Sequence, residues 1–341
     1  MYFPGHTYLF YKPKTTVMKK LFLLLCAAII TDILLAYPIS PRPLRKLIME
    51  SELIVWAKVL IVGKEKENNK KDNFWERDYA LLQVNELLQG KIKDTALKVY
   101  FSSEMICPAP GVFFKNEQVL AFLDKNKKAG GYTVHALSYG VKHGLDATAY
   151  AVYKERIKEM QALLEMDDSG EKDEQILEWL VKCAEDKATR WEGVYELSPG
   201  SDFMSYYDRE GPVRKDIYLN GEQRQRLFNA LLFIDTINYS DIPLVDIVTG
   251  INDAAMLDFL KKGLLKAHTT SLWMSQYIMN RIVLLTADKE LEKLLENFEK
   301  FVFSYDEKER KQAKQILAAF IEKMKKTGLK HELPGSNDND A

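Results

Sequence analysis

The stretch YTVHALSYGVKHGLDATAYAVYKERIKEMQALLEM, residues 132–166, changes its period at Gly144. YTVHALSY (132–139) reads as a strand, with short apolar runs bounded by glycine. VYKERIKEMQALLEM (152–166) sets its apolar residues three and four apart, on one stripe of a helix. The chain therefore divides near residue 145 into a part built from strands and a part built from helices. At 341 residues it is long enough for about two domains, each with its own core.

Upstream of the change, four more strand-length runs precede it: LIVWAKVLIV (53–62), YALLQVNELL (79–88), LKVYF (97–101) and QVLAFL (118–123). Five strands joined by turns lose their exposed edges by closing into a small barrel or sandwich. The lysine-rich segment 63–78 carries both signs of charge and fits a solvated hairpin loop. PRPLRKLIMESE (41–52) reads as a short amphipathic helix that would cap the barrel.

Downstream, DEQILEWLVKCAED (173–186) continues the helical period. Residues 187–216 break it and read as a long irregular loop. GEQRQRLFNALLFIDTI (221–237) resumes it, followed by LVDIVTGI, AAMLDFLKKGLLKA, TSLWMSQYIMNRIVLLTA, KELEKLLENFEKFV and EKERKQAKQILAAFIEKMKK. Ser304 and Glu307 have capping-box spacing, and Gly328 suits a helix stop. Short linkers between successive helices imply antiparallel hairpins, arranged as a bundle or a HEAT-like stack. Residues 329–341 are expected to be a disordered tail.

The composition excludes several classes. Lys and Arg (48) nearly balance Asp and Glu (49), and 47% of residues are hydrophobic. That is a globular chain with no field favouring nucleic acid. LFLLLCAAII (21–30) follows Lys19 and Lys20 and precedes small residues, the order of a secretory signal cleaved after Ala36. Translation would then start at Met18, and residues 1–36 would be removed, which leaves a mildly acidic product that is secreted or periplasmic. The apolar run falls short of the roughly 20 residues that span a bilayer, so a membrane contact would arise only from an uncleaved signal.

The order LIVWAKVLIV, LLQVNELLQGKIK, LKVYF, Cys107, VLAFLD and YTVHALSYG resembles the netrin-like module shared with tissue inhibitors of metalloproteinases, across residues 45–143. The resemblance implies a five-stranded OB-type barrel. The inhibitory mechanism does not carry over, because the family's amino-terminal cysteine chelates the protease zinc and here Tyr37 and Pro38 would begin the exported chain. In its two-part organisation the whole resembles exported proteins of Bacteroidetes-like bacteria. The fold expected is thus α+β and multidomain. A five-stranded OB-type β-barrel (37–145) precedes an all-α helical-hairpin domain (146–328), bundle or HEAT-like.

Motifs for catalysis are sparse. GxSxG, GxxxxGK, GxGxxG and CxxC do not occur. His135, His143 and Asp146 could be weighed as metal ligands, but a strand position and a turn give each a structural role, and neither metal nor cofactor is expected. Cys107 and Cys183 would be the only cysteines after export, and are either bridged or two separate thiols. The loop 187–216 concentrates Arg190, Trp191, Glu192, Tyr195, Glu196, Asp202, Phe203, Tyr206, Tyr207 and Asp208. Carboxylates beside aromatics can hydrolyse or bind sugars, and Arg, Trp and Tyr also anchor protein interfaces. The alternative is a loop pinned by its aromatics, with Arg190 and Glu192 in structural pairs. The functional expectation is an exported, non-catalytic binding protein whose partner is a protein or a carbohydrate. The alternatives are a hydrolase using the loop's carboxylates and a protease inhibitor acting through the barrel.

Overall fold

The computed structural model describes residues 41–64, 78–105, 109–197, 218–267 and 271–328. A short helix, α1 (Leu44–Glu50), leads into strands β1 (Leu53–Lys64), β2 (Asp78–Gln89), β3 (Ala96–Phe101), β4 (Gln118–Asn126) and β5 (Gly131–Val134). β1 pairs antiparallel with both β2 and β4, and the parallel pair β3–β5 completes the ring. The result is a closed five-stranded mixed barrel of OB type, with a two-residue strand β6 (Val141–Lys142) added beside β4.

The near-continuous apolar run of β1 has a physical reason, since its first half is buried on both faces. Leu53, Val55, Ala57 and Val59 point into the barrel with Leu82, Val99, Val119 and Leu123. Ile54 points the other way, with Leu120 and Phe122, into a second core that the helices supply. Beyond Lys58 that cover ends, and Ile61 and Val62 are exposed. Gly90 ends β2 at a φ of +87°, where an added Cβ would lie 2.5 Å from the Glu52 carbonyl oxygen.

The strand expected over 132–139 stops at Val134. Ala136 and Leu137 take positive φ, and a 3-10 turn (Leu137–Gly140) follows. Here the chain doubles back so closely that a Cβ on Gly140 would fall 1.9 Å from the His135 carbonyl oxygen.

Nine α-helices follow among the described residues: α2 (Ala147–Leu164), α3 (Gly170–Glu185), α4 (Arg190–Leu197), α5 (Gly221–Leu232), α6 (Ile242–Val248), α7 (Asp253–Ala267), α8 (Leu272–Thr286), α9 (Lys289–Glu299) and α10 (Glu307–Met324). Side-chain caps set most of the starts. Asp146, Ser169, Asn220, Ser271 and Asp288 each accept a first-turn N–H. At α10 the cap is Asp306, two residues after the expected Ser304, whose hydroxyl instead bonds the Glu309 carboxylate. α2 packs on α3, α3 on α4, and α7 through α10 each on the next, a series of hairpins.

Two further expectations change. Within 187–216 the chain forms α4 at 190–197, because nearly every side of this helix is buried and no polar face marks its period. α5 ends at Leu232 rather than running to residue 237. The expected cap over the barrel, α1, buries Leu44, Leu47 and Ile48 in the core it shares with α2 to α4. That core crosses the boundary near residue 145, so the barrel and the helices are joined by a common interior. No described helix is long and apolar enough to cross a membrane.

Candidate functional site

α4 positions four of the residues singled out in the sequence, Arg190, Trp191, Glu192 and Tyr195, together with Glu196. Asp202, Phe203, Tyr206, Tyr207 and Asp208 lie outside the described residues. α4 lies directly on α3: an added Cβ on Gly193 would be 2.3 Å from the Leu180 carbonyl oxygen and 2.6 Å from the Ala184 nitrogen. Only glycine permits that approach.

Glu192 is 2% exposed and sits where four elements meet. Its carboxylate accepts from the Leu44 backbone N–H of α1 at 2.7 Å and from the Tyr153 hydroxyl of α2 at 3.1 Å. It also pairs with the Lys142 ammonium of β6 at 2.7 Å. Burial pushes the Tyr153 hydroxyl pKa well up, and the Glu192 charge adds to the effect. Tyr153 therefore stays a donor. Three donors around one buried carboxylate meet the condition for a charge to be tolerated inside a core.

Arg190 is also turned inward. Its guanidinium donates to the Ala184 and Glu185 carbonyls at 3.2 Å each, covering the carboxyl end of α3, and to Asp241 at 3.3 Å. Asp241 in turn accepts from the Asn238 N–H at 2.9 Å. Glu196 accepts from Arg45 of α1 at 2.9 Å. Burial works against the Arg45 charge, but the Glu196 and Glu50 carboxylates outweigh it and hold its pKa above the ordinary value. Arg190, Glu192 and Glu196 thus fasten the barrel, α1 and the helices together, and Tyr195 is buried beside them.

Trp191 is different. It stacks on Tyr139 of the 3-10 turn (centroids 5.6 Å apart, 18° between planes) and leans on Tyr195 at 5.3 Å. Its partly open ring separates two depressions. The smaller, about 420 Å³, is lined by Tyr139, Lys142, His143 and Tyr153. The larger, about 980 Å³, runs between the end of α3, α5 and the segment 233–241. Both are lined by Ala188 and Trp191; the smaller lies at the joint of barrel and helices, whereas every residue that lines the larger belongs to the helical part.

Phe233, 90% exposed, lines the larger depression, and the sequence reading missed it. In the sequence it belongs to an apolar helical stripe. The end of α5 one residue earlier releases it from that stripe. Several of the charged groups along this wall are engaged with one another, while Lys187 beside them is exposed. Arg226 donates to Glu185 at 2.8 and 2.7 Å and to Glu178 at 2.7 Å. These bonds, Glu185's above all, raise the Arg226 pKa against the cost of burial. Asp235 pairs with Lys266, and Asp186 accepts the Ala188 N–H at 2.8 Å.

The other weighed residues do not converge. His135 lies 2.7 Å from Asp124 and 3.2 Å from Glu50, whereas His143 lies 3.0 Å from Glu117. Asp146 caps α2. Among the described residues no three His, Cys, Asp or Glu side chains are placed to hold a metal. Cys183 is a free thiol, fully buried on α3, and Cys107 lies outside the described residues. Of the barrel aromatics, Tyr100 and Phe101 are buried and Trp56 stacks on Tyr150 at 4.2 Å. Trp75 lies outside the described residues.

Fold and site together define a class: an OB-type barrel joined through a common core to an array of helical hairpins, with two open depressions that share Ala188 and Trp191. The chain matches no protein-family model, no curated protein and no solved structure.

Proposed function

We propose that this is an exported, non-catalytic binding protein whose ligand seat is the groove on either side of Trp191. The smaller depression lies at the joint and is lined by residues of both folded parts, a common setting for ligands. Export is supported by the order of charge, apolar run and small residues at 19–37. The likeness of residues 45–143 to the netrin-like module rests on the order of their apolar runs, without the module's inhibitory cysteine.

The observation that carries the non-catalytic reading is the engagement of Glu192 with Lys142 and of Glu196 with Arg45. Hydrolysis of a glycosidic bond needs two carboxyl groups facing each other across a cleft. Among the described residues of 187–216, the two carboxylates instead hold the joint together.

The test is an array of saccharides and peptides probed with the purified protein, with Phe233→Ala, and with a control at Tyr305, which is equally exposed but does not line the groove. Binding should weaken by about tenfold, the loss of roughly 1.4 kcal/mol, in Phe233→Ala and stay unchanged in Tyr305→Ala. Mass spectrometry should recover the ligand intact. Cleaved ligand, or binding indifferent to Phe233, would overturn the proposal.

A further inference from the structure

The balanced charge of the whole chain conceals two unequal parts. Residues 41–143, α1 and the barrel, hold 17 Lys and Arg against 12 Asp and Glu, whereas residues 144–328 hold 26 against 33. At physiological salt a charge acts over only about 8 Å, so an approaching surface responds to the part that faces it and not to the average. Within 41–143 the two signs are also used differently. Every described carboxylate there except Asp94 accepts a hydrogen bond from the protein itself. Lys91, Lys93, Lys125, Lys127 and Lys128, by contrast, are exposed, and their ammonium groups pair with no described residue.

These lysines gather at one end of the barrel. β2 ends and β3 begins there, at Gln89 and Ala96, and so do β4 and β5, at Asn126 and Gly131. The second turn lies against β3: an added Cβ on Gly131 would fall 2.7 Å from the Lys98 carbonyl oxygen. Each turn has an inward anchor. Ile92, between Lys91 and Lys93, packs on the barrel core. In the other turn the Asn126 side chain accepts the Lys128 and Ala129 N–H groups at 3.1 and 3.0 Å, and the Tyr100 hydroxyl donates to the Ala129 carbonyl at 3.3 Å. The acids at this end are Glu52, Asp94 and Asp124. Glu52 accepts the Lys125 N–H, and Asp124 accepts the Glu52 N–H and lies beside His135. The helical part reaches this end at Gln161, which donates to the Leu88 carbonyl, with Lys158 and Glu165 about a turn to either side. The lysines remain in excess.

We propose that this end of the barrel docks on the surface of an anionic lipid membrane. All five cations are lysines. Arginine grips a single phosphate or carboxylate through two parallel hydrogen bonds, whereas lysine is a hydrated point charge that answers to the density of negative charge. Two anchored turns projecting from one end meet a flat charged surface together, and a small anion would engage only one of them. Because Ile92 is occupied in the barrel interior, the contact is electrostatic, reversible and sensitive to salt.

The test is sedimentation of the whole protein with vesicles of phosphatidylcholine alone and with vesicles containing about one-third phosphatidylglycerol. The anionic vesicles should bind more protein, and the difference should disappear as salt rises from about 0.05 to about 0.5 M. Lys91→Gln, Lys93→Gln, Lys127→Gln and Lys128→Gln together should lower partition onto the anionic vesicles by about tenfold or more. A control carrying Lys293→Gln, Lys308→Gln, Lys311→Gln and Lys314→Gln removes the same charge from exposed positions on α9 and α10, and should partition as the unaltered protein does. Residues 1–36 are common to every variant and cannot produce a difference between them, and circular dichroism confirms that the variants fold. Equal partition onto the two kinds of vesicle, or equal loss in the two variants, overturns the proposal. Binding of heparin or single-stranded DNA through these lysines, with the vesicles left unbound, overturns it too.

Discussion

Replacing Glu192 by Gln keeps the shape of the side chain and removes its charge, and so tests how the barrel and the helices are held together. The carboxylate is 2% exposed and receives the Leu44 N–H, the Tyr153 hydroxyl and the Lys142 ammonium. The variant leaves Lys142, itself mostly buried, without its counter-charge, and obliges one donor to face an amide hydrogen. Breaking a buried pair on one side costs about 3–5 kcal/mol, because the remaining charge is stranded. With a urea dependence near 3 kcal/mol per molar, the midpoint should fall by roughly 1 M or more. The assay is urea unfolding followed by far-ultraviolet circular dichroism and by tryptophan fluorescence, which should shift together because the core is common. The double variant Glu192→Gln with Lys142→Met removes both charges and should recover part of the loss, as an interaction energy in a double-mutant cycle. A cost below about 1 kcal/mol, or strict additivity, would refute the role assigned to this carboxylate.

Gly193→Ala should destabilise by about 1–3 kcal/mol, read from the melting temperature, because its methyl group meets α3 backbone atoms that cannot give way. His135 supplies a pH dependence. Burial lowers its pKa, but the carboxylates of Asp124 and Glu50 outweigh this and raise it above the ordinary 6.5. Its stabilisation is therefore complete below pH 6.5 and is lost as pH rises through the raised folded value, and His135→Gln should abolish that decline in urea titrations. The Cys183 thiol, whose pKa burial raises, should resist a thiol reagent in native protein carrying Cys26→Ser and Cys107→Ser and react fully in urea. Rapid native labelling would contradict its place in the core.

The division of the chain was legible because it depends on periodicity, which local sequence carries. β1 and α2 fall close to where their apolar spacing puts them. The residues 190–197 were not legible as a helix, because a short helix buried all round has no stripe. The same burial explains the candidate site. Arg190, Trp191, Glu192 and Tyr195 stood out by residue type, yet type does not tell an inward carboxylate from one facing a cleft. Only the arrival of Lys142 and Leu44 from distant elements decides that Glu192 is a fastening and leaves Trp191 on the surface. Phe233 was hidden for the opposite reason: a stripe position reads as core unless the helix end is known. The turn at Ala136 and Leu137 was missed because neither residue favours a positive φ, and contacts with the rest of the barrel impose it.

Hydrogen–deuterium exchange of the protein with and without a ligand found in the saccharide and peptide array tests the central claim most directly, because it reports where a ligand sits without assuming a residue's role. Protection confined to residues 184–192 and 226–241, on the two sides of the groove, is the predicted result. Protection on the barrel strands away from β6, or none at saturating ligand, would contradict a ligand seat beside Trp191.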